Sequence, residues 1–218
     1  SIDDSLTLEK DDAISLEKIS GHCKLWVHIA SPTSYFEYQS AIEKNARNLI
    51  STVYLSTKTY YMLPEILIND VFSLSDNEIR DSISLGVIFN KDGSVFNNEI
   101  VRSVIKVDYC LNYADADELI DYAPKEEEDL SIISKILQIR KHWRKKAGAM
   151  EILESYGKIT VKDNIPILKI IDPTLSRQLI SEAMILFGNI ISNFTKVNKI
   201  PVPYRVQEVL DKVIKDQI

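Results

Sequence analysis

Residues 82–113 read SISLGVIFNKDGSVFNNEIVRSVIKVDYCLNY, and this stretch decides the fold class. In an extended chain successive side chains point to opposite faces, so Ile83, Leu85, Val87 and Phe89 share one side. Asn90–Lys91–Asp92–Gly93 is a strong turn signal. The run 99–113 reads as the return strand. The pair is expected to form an antiparallel hairpin.

Working outward, KLWVHIA (24–30) alternates Leu25, Val27 and Ile29 against Trp26 and His28, as a strand does. Trp26 and His28 are expected in the core rather than in catalysis. YQSAIEKNARNLI (38–50) places Ile42, Ala46 and Leu49 on one helical face. YAPKEEEDL (122–130) is charged and contains Pro124, so it is expected to cross solvent. A helix is expected over about 130–147, and a short hairpin turning near Gly157. DPTLSRQLISEAMILFGNIISNF (172–194) is the clearest helix, with Asp172 as its cap and Pro173 in its first turn. Leu179, Ala183, Leu186, Ile190 and Phe194 form its apolar stripe. Residues 204–218 suggest a last helix. The fold class is α+β: a mixed, largely antiparallel sheet with packed helices. One domain spanning 1–218 is expected, incomplete at both ends.

At 218 residues and 45% hydrophobic content the chain can bury a substantial core. No apolar run is long enough to cross a membrane. Cys23 and Cys110 form no CxxC pair and read as reduced thiols. His22, His28 and His142 make no zinc pattern. The net charge of −6 argues against a surface coated for nonspecific nucleic-acid binding. It leaves room for a site where carboxylates hold metal ions against phosphates.

The chain opens SIDDSLTLE (1–9), with Asp3 and Asp4 adjacent. Alone, such a pair is most often a solvated terminus. In a strand the two side chains point apart. Sharing a metal therefore requires a turn; otherwise one carboxylate binds metal and the other braces the site from behind.

Taken with its context, the chain resembles the catalytic RNB domain of the ribonuclease II and ribonuclease R exoribonucleases. SIDDSLTLE resembles that family's Asp-rich metal motif, D-x-D-D followed by a small and an apolar residue. WVHIASPTSYF (26–36) is similar to its VHIADPTAY. STVYLSTKTYYMLPEILINDVFSL (51–74) is similar to its TSVYLPDRVIPMLPEELSNGLCSL, the most specific match. RSVIKVDYCLNYADADELI (102–120), RKHWRKKAGAME (140–151), SRQLISEAMILFGNIISNF (176–194) and IPVPYRVQE (200–208) follow in family order.

The resemblance implies a 3′→5′ hydrolytic exoribonuclease that degrades single-stranded RNA to nucleoside 5′-monophosphates with Mg²⁺. Asp3 and Asp4 would be its catalytic, metal-holding carboxylates. Tyr54 would contact RNA, and Tyr113 would stack on the terminal base, which suits a sequence-tolerant nuclease because every base has a π face. Each ring could equally be half-buried packing. Glu182 would line the nucleotide pocket or hydrogen-bond within the helix layer. Lys141, Arg144, Lys145 and Lys146 form a basic face, either solvated surface or a phosphate attractor; Arg144 and Lys145 are taken as RNA-binding candidates. A monomer is expected, in the cytoplasm or in an organelle of bacterial origin.

The sequence departs from the pattern in places. Ser1 stands where the motif has Asp, Ser31 replaces the Asp of HIADPT, and Ser181 replaces an acidic residue. The family's arginine-bearing SPIRRYxD motif and its flanking β-barrel RNA-binding domains do not occur in the chain. Two readings stand: part of an active exoribonuclease, or a catalytically impaired RNB-fold module that binds RNA or a protein.

Overall fold

The computed structural model describes residues 1–5, 7–19, 21–125, 128–163 and 165–205. The chain divides into two compact units, Ser1–Met184 and Ile185–Ile218. The expected helix over 204–218 lies almost wholly outside the described residues.

The centre of the first unit is a four-stranded antiparallel sheet in the order β2-β3-β6-β7. Its strands are β2 Asp12–Ile19, β3 His22–Ala30, β6 Ile79–Phe89 and β7 Val95–Lys106. The hairpin read from 82–113 is the β6–β7 pair, although its return strand starts earlier and ends at Lys106 rather than running over 99–113, and β3 joins it through Leu25↔Val87 and Val27↔Leu85. Those four side chains are fully buried, while Ile83 and Phe89 at the ends of the stripe are only partly so. The other face of the sheet is not open to water either. His28 is buried there between Ser15 Oγ at 3.0 Å and Ser84 Oγ at 2.6 Å, and burial pushes its imidazole down to about 4. Trp26 is partly buried over Gly86, its cross-strand partner, where a Cβ would come within 2.9 Å of the ring.

The β6–β7 turn is closed by Gly93 N donating to Asn90 O at 3.0 Å and by Ser94 N and Oγ donating to Asp92 Oδ1. Gly93 has φ +89°, and its Cα lies against helix α4 Glu128–Lys146. Arg140 of α4 donates to Gly93 O at 3.2 Å and stacks on Trp143. Ile133 and Leu137 bury the inner face of α4. It begins with Glu128 and Asp129, which suit the positive end of the helix dipole and also hold Lys18.

Smaller elements surround this sheet. Helix α1 Ala41–Leu49 is capped by Ser40 accepting from Glu43 N, but buries no residue fully; its expected face is half covered at Ile42 and Ala46. Strands β4 Val53–Tyr54 and β5 Thr59–Tyr60 form a ribbon. The short helix α2 Glu65–Leu67 runs into a turn of π-helix at Ile68–Phe72. Two-residue strands β1 Ile2–Asp3 and β8 Leu111–Asn112 pair in parallel. Helix α3 Tyr113–Tyr122 follows at once.

Two expectations are corrected. The hairpin is β9 Tyr156–Lys162 with β10 Ile165–Ile171, so Gly157 sits inside a strand opposite Ile170 and the chain turns after Lys162, at Asp163. Its register is held by seven cross-strand pairs, which outweigh the turn propensity of one glycine. Helix α5 spans Leu175–Val197, so Asp172 and Pro173 precede its first turn. Asp172 accepts from Ser155 Oγ at 2.6 Å instead of capping, and the α5 end is served by Asp117 of α3, whose Oδ1 accepts from Ser176 N at 2.7 Å. In the second unit, the hydroxyl of Thr195, in the last turn of α5, meets that of Tyr204 at 3.1 Å.

Gly93→Ala meets both a positive φ and a Cβ position 2.7 Å from Ile139 O. Strain and overpacking together should cost about 2–4 kcal/mol. Urea denaturation followed by circular dichroism checks this; a loss below about 0.5 kcal/mol would show that the turn does not seat on α4.

Candidate active site

The β1–β8 pairing matches Asp3 with Asn112, and Asn112 is also the N-cap of α3, its side chain accepting from Asp115 N at 3.0 Å. The next residue, Tyr113, is thereby set beside the acidic start of the chain. Burial pushes its phenol up to about 12, with the charge of Asp3 adding to the effect and Arg177 opposing it. Ser176 Oγ donates to Tyr113 O at 3.0 Å, tying the start of α5 to the start of α3.

Asp3 and Asp4 part company here. Asp4 N donates to Asp3 Oδ1 at 2.6 Å, but the Asp4 carboxylate turns to two cations. Arg177 binds Asp4 Oδ1, and Lys158 binds Oδ2 at 3.3 Å. Burial alone would raise the Asp4 carboxyl, yet the two cations hold it below the usual range. The Arg177 guanidinium also lies 3.9 Å from the centre of the Tyr113 ring.

A second pair of aspartates stands at the entrance to β2. Asp12 is the first residue of that strand, and Asp11 O accepts from Ala30 N at 2.8 Å. The segment before them is clamped: Lys10 N donates to Ser73 Oγ at 3.0 Å, Leu74 N to Lys10 O at 2.9 Å, and Ser73 Oγ to Leu8 O at 2.7 Å. Asp12 Oδ2 is buried with no hydrogen-bond partner among the described residues. Its carboxyl is pushed up to about 6 by burial first, then by the charges of Asp3 and Asp11. Asp11, whose side chain reaches solvent, is also raised, by loss of hydration and then by Glu9 and Asp3. The charges of Asp3, Glu9 and Asp11 thus act on this second pair, and Asp4 stands apart from it as a neutralised group.

Glu9 links this acidic group to the β4–β5 ribbon. Its Oε1 accepts from Thr52 Oγ1 at 3.2 Å and its Oε2 from the Tyr54 hydroxyl. Tyr54 is otherwise exposed. Among the described residues no three His, Cys, Asp or Glu side chains enclose a cation as they stand. The chemistry of the donors still fits one: hard oxygen ligands, the Asp11 and Asp12 carboxyls raised by burial and acidic neighbours, and a buried carboxylate oxygen without a donor among the described residues.

The remaining candidates sit further along α4 and α5. Glu182 is 3% exposed and receives the Arg144 guanidinium side-on, at 3.1 Å and 3.2 Å from Nε and 2.9 Å from Nη2. Lys141 and Lys145 both pair with Glu151, and Lys141 also donates to Gln178 at 2.6 Å. The basic face thus meets internal carboxylates rather than standing free.

Sequence reasoning missed Glu9, Asp11, Asp12, Arg177 and Lys158. A signal for the first three was present. EKDDAI (9–14) repeats the pattern of paired Asp followed by a small and an apolar residue, and it has an acid where SIDD has Ser1. Nothing local marks Arg177 or Lys158, which reach Asp4 only through the fold.

Against known proteins, the model of the RNB domain matches residues 1–216. The chain is 32% identical over 206 residues to ribonuclease II, chloroplastic/mitochondrial, of Arabidopsis thaliana, covering 91% of this chain and 26% of that protein. It is 33% identical over 210 residues to an uncharacterized ribonuclease of Synechocystis, covering 94% and 31%. It therefore spans about a quarter to a third of the length of these relatives. Among solved structures, Mycoplasma genitalium RNase R in complex with ribose-methylated single-stranded RNA superposes with a TM-score of 0.88 at 22% identity, over 95% of this chain and 34% of that one. The mixed α+β fold, the order of the motifs and the family match over nearly every residue place this chain in the RNB-domain family of ribonucleases.

Proposed function

We propose that this chain carries part of the catalytic site of a metal-dependent exoribonuclease, one that shortens single-stranded RNA from its 3′ end by hydrolysis and releases nucleoside 5′-monophosphates. The observation that carries the reading is the buried, unpartnered oxygen of Asp12 beside Asp3 and Asp11. An isolated buried carboxylate is costly unless something positive meets it.

Mg²⁺ is the cation this donor set would suit. Asp3, Asp11 and Asp12 would hold it, with Glu9 as the further acid. In this register Glu9 takes the place at which Ser1 looked like a lost ligand. The bound ion would lower the pKa of a water and neutralise phosphate charge. Asp4 then fills the bracing role weighed from the sequence: paired with Arg177 and Lys158, it adds no free negative charge to a site that must admit phosphate.

The chain's own residues supply the rest. Tyr113 offers a ring at the acidic edge on which a terminal base can stack. Tyr54 presents an exposed aromatic whose hydroxyl steadies Glu9, and so couples an RNA-facing residue to the acidic group. Glu182, saturated by Arg144, stiffens the α4–α5 contact that supports Arg177, and Lys145 with Lys141 fixes Glu151. Ribonuclease relatives and a neighbour solved with RNA support RNA as the partner. No helix among the described residues is long and apolar enough to cross a membrane. The alternative, an impaired RNA-binding module, loses one of its motives, the apparent ligand loss at Ser1, once an acid stands at position 9.

Asp12→Asn is expected to lower Mg²⁺-dependent 3′ shortening of a 5′-labelled oligoribonucleotide by about 10²-fold or more while leaving RNA binding in place. A rate within threefold of the parent would remove Asp12 from the site. Without metal, the raised pKa of Asp12 acts on stability with a definite sign. Between about pH 4 and 6 the folded state holds more protons than the unfolded state, so stability falls as pH rises through that window. The loss should be about 1–2 kcal/mol, since water still screens part of the group. Denaturation at pH 4.5 and 7 in EDTA measures it, and Asp12→Asn should flatten the difference; an unchanged slope would mean that Asp12 is not the titrating group.

A further inference from the structure

Arg177 does two things at once. One end of its guanidinium binds Asp4 Oδ1, and its plane lies over the Tyr113 ring at 3.9 Å. Its side chain is 21% exposed, so water competes weakly for it. Its backbone is anchored to the same tyrosine, because the neighbouring Ser176 donates through Oγ to Tyr113 O at 3.0 Å and through N to Asp117 Oδ1 at 2.7 Å. Lys158 takes the other oxygen of Asp4 at 3.3 Å, so the carboxylate is pinned from both sides and cannot follow Arg177 away.

We infer that Arg177 is a positioning residue for recognition of the RNA 3′ end: it backs one face of Tyr113 and holds the ring at the acidic edge, leaving the opposite face for the terminal nucleobase. The inference rests on the exoribonuclease reading above and deepens it. A tyrosine at the first position of a helix has a ring free to turn unless something packs on it. A planar guanidinium stacks on a ring and still donates in its plane to a carboxylate; a lysine ammonium can keep the ion pair but not the stack. Two anchors of opposite kind, an ion pair and a π face, therefore fix the ring where neither would alone. The alternative is that Arg177 serves only to neutralise Asp4, in which case lysine would replace it.

The test uses the full chain in EDTA, where no hydrolysis occurs. Binding is measured by fluorescence anisotropy for two oligoribonucleotides of equal length, one ending in adenosine and one ending in an abasic ribose. The unmodified chain should favour the base-bearing end by at least about fivefold, the lower range for a base stacked on an aromatic side chain. Arg177→Ala and Arg177→Lys should each bring that ratio towards one, as Tyr113→Ala does. Arg177→Ala added to Tyr113→Ala should change the ratio no further, because both act on one contact. Circular dichroism confirms that each variant folds, and Arg177→Lys serves should the alanine variant fail. A parental ratio in Arg177→Lys, a further fall in the double variant, or no preference or no binding in the unmodified chain overturns the inference. If the ratios behave as expected but RNA with Mg²⁺ stays whole, the hydrolytic reading fails and base positioning by Arg177 stands.

Discussion

A small apolar cluster underlies the site: Ala13, Leu74 and Val107, closed by Ala30, Ile105 and Cys110. Each member lies next to a segment of the candidate site. Ala13 follows Asp12, Leu74 receives its backbone partner from Lys10, and Val107 begins the path from β7 to β8. Burying these side chains pins three stretches of chain that are distant in sequence. The two-residue pairing of β1 with β8 then becomes possible, although two parallel pairs would not hold by themselves. Parallel strands need a long crossover, and here the crossover is the four-stranded sheet itself. The sheet is thus the device that carries the chain from Asp3 round to Tyr113.

Charge arranges what packing brings together. Several carboxylates share one end of the sheet, and they divide into two classes. Asp4 is saturated by Arg177 and Lys158 and drops below the ordinary carboxylate range, despite the burial that would raise it. Asp12 has no cation of its own among the described side chains and rises to about 6, from burial and the neighbouring Asp3 and Asp11. The same pattern recurs on the helices, where Glu182 and Glu151 are met by Arg144, Lys141 and Lys145. A chain that supplies internal partners for its other buried acids leaves the group around Asp12 as the place where an external cation would lower the energy most.

Much of this fold was legible beforehand. The alternation in 24–30 and 82–89, the NKDG turn and the long helix after Pro173 each follow from periods of two or 3.6 residues that local sequence displays. The errors came where a local signal met a longer-range one. Gly157 suggested a turn, but strand pairing over Tyr156–Lys162 and Ile165–Ile171 set the turn beyond it. Asp172 had the chemistry of a cap, but Asp117 from another helix reached Ser176 first. A capping side chain supplied by a different element leaves no mark at the helix it caps.

The site shows the same division more sharply. Asp3, Tyr54 and Tyr113 could be picked out because each sits in a recognisable string, yet the string around Asp3 was read in one register when the chain offers two. SIDDSL and EKDDAI both present paired aspartates before a small and an apolar residue. Composition cannot choose between them, since both pairs are acidic and both are followed by a small and an apolar residue. What separates them is the company each keeps in three dimensions: Arg177 and Lys158 for Asp4, and for Asp12 a buried oxygen with no donor among the described residues. Those cations come from α5 and β9, far along the chain, so the choice belongs to tertiary structure. The fold thus supplies a counter-charge to Asp4 of the first pair and, among the described side chains, gives none to Asp12 of the second.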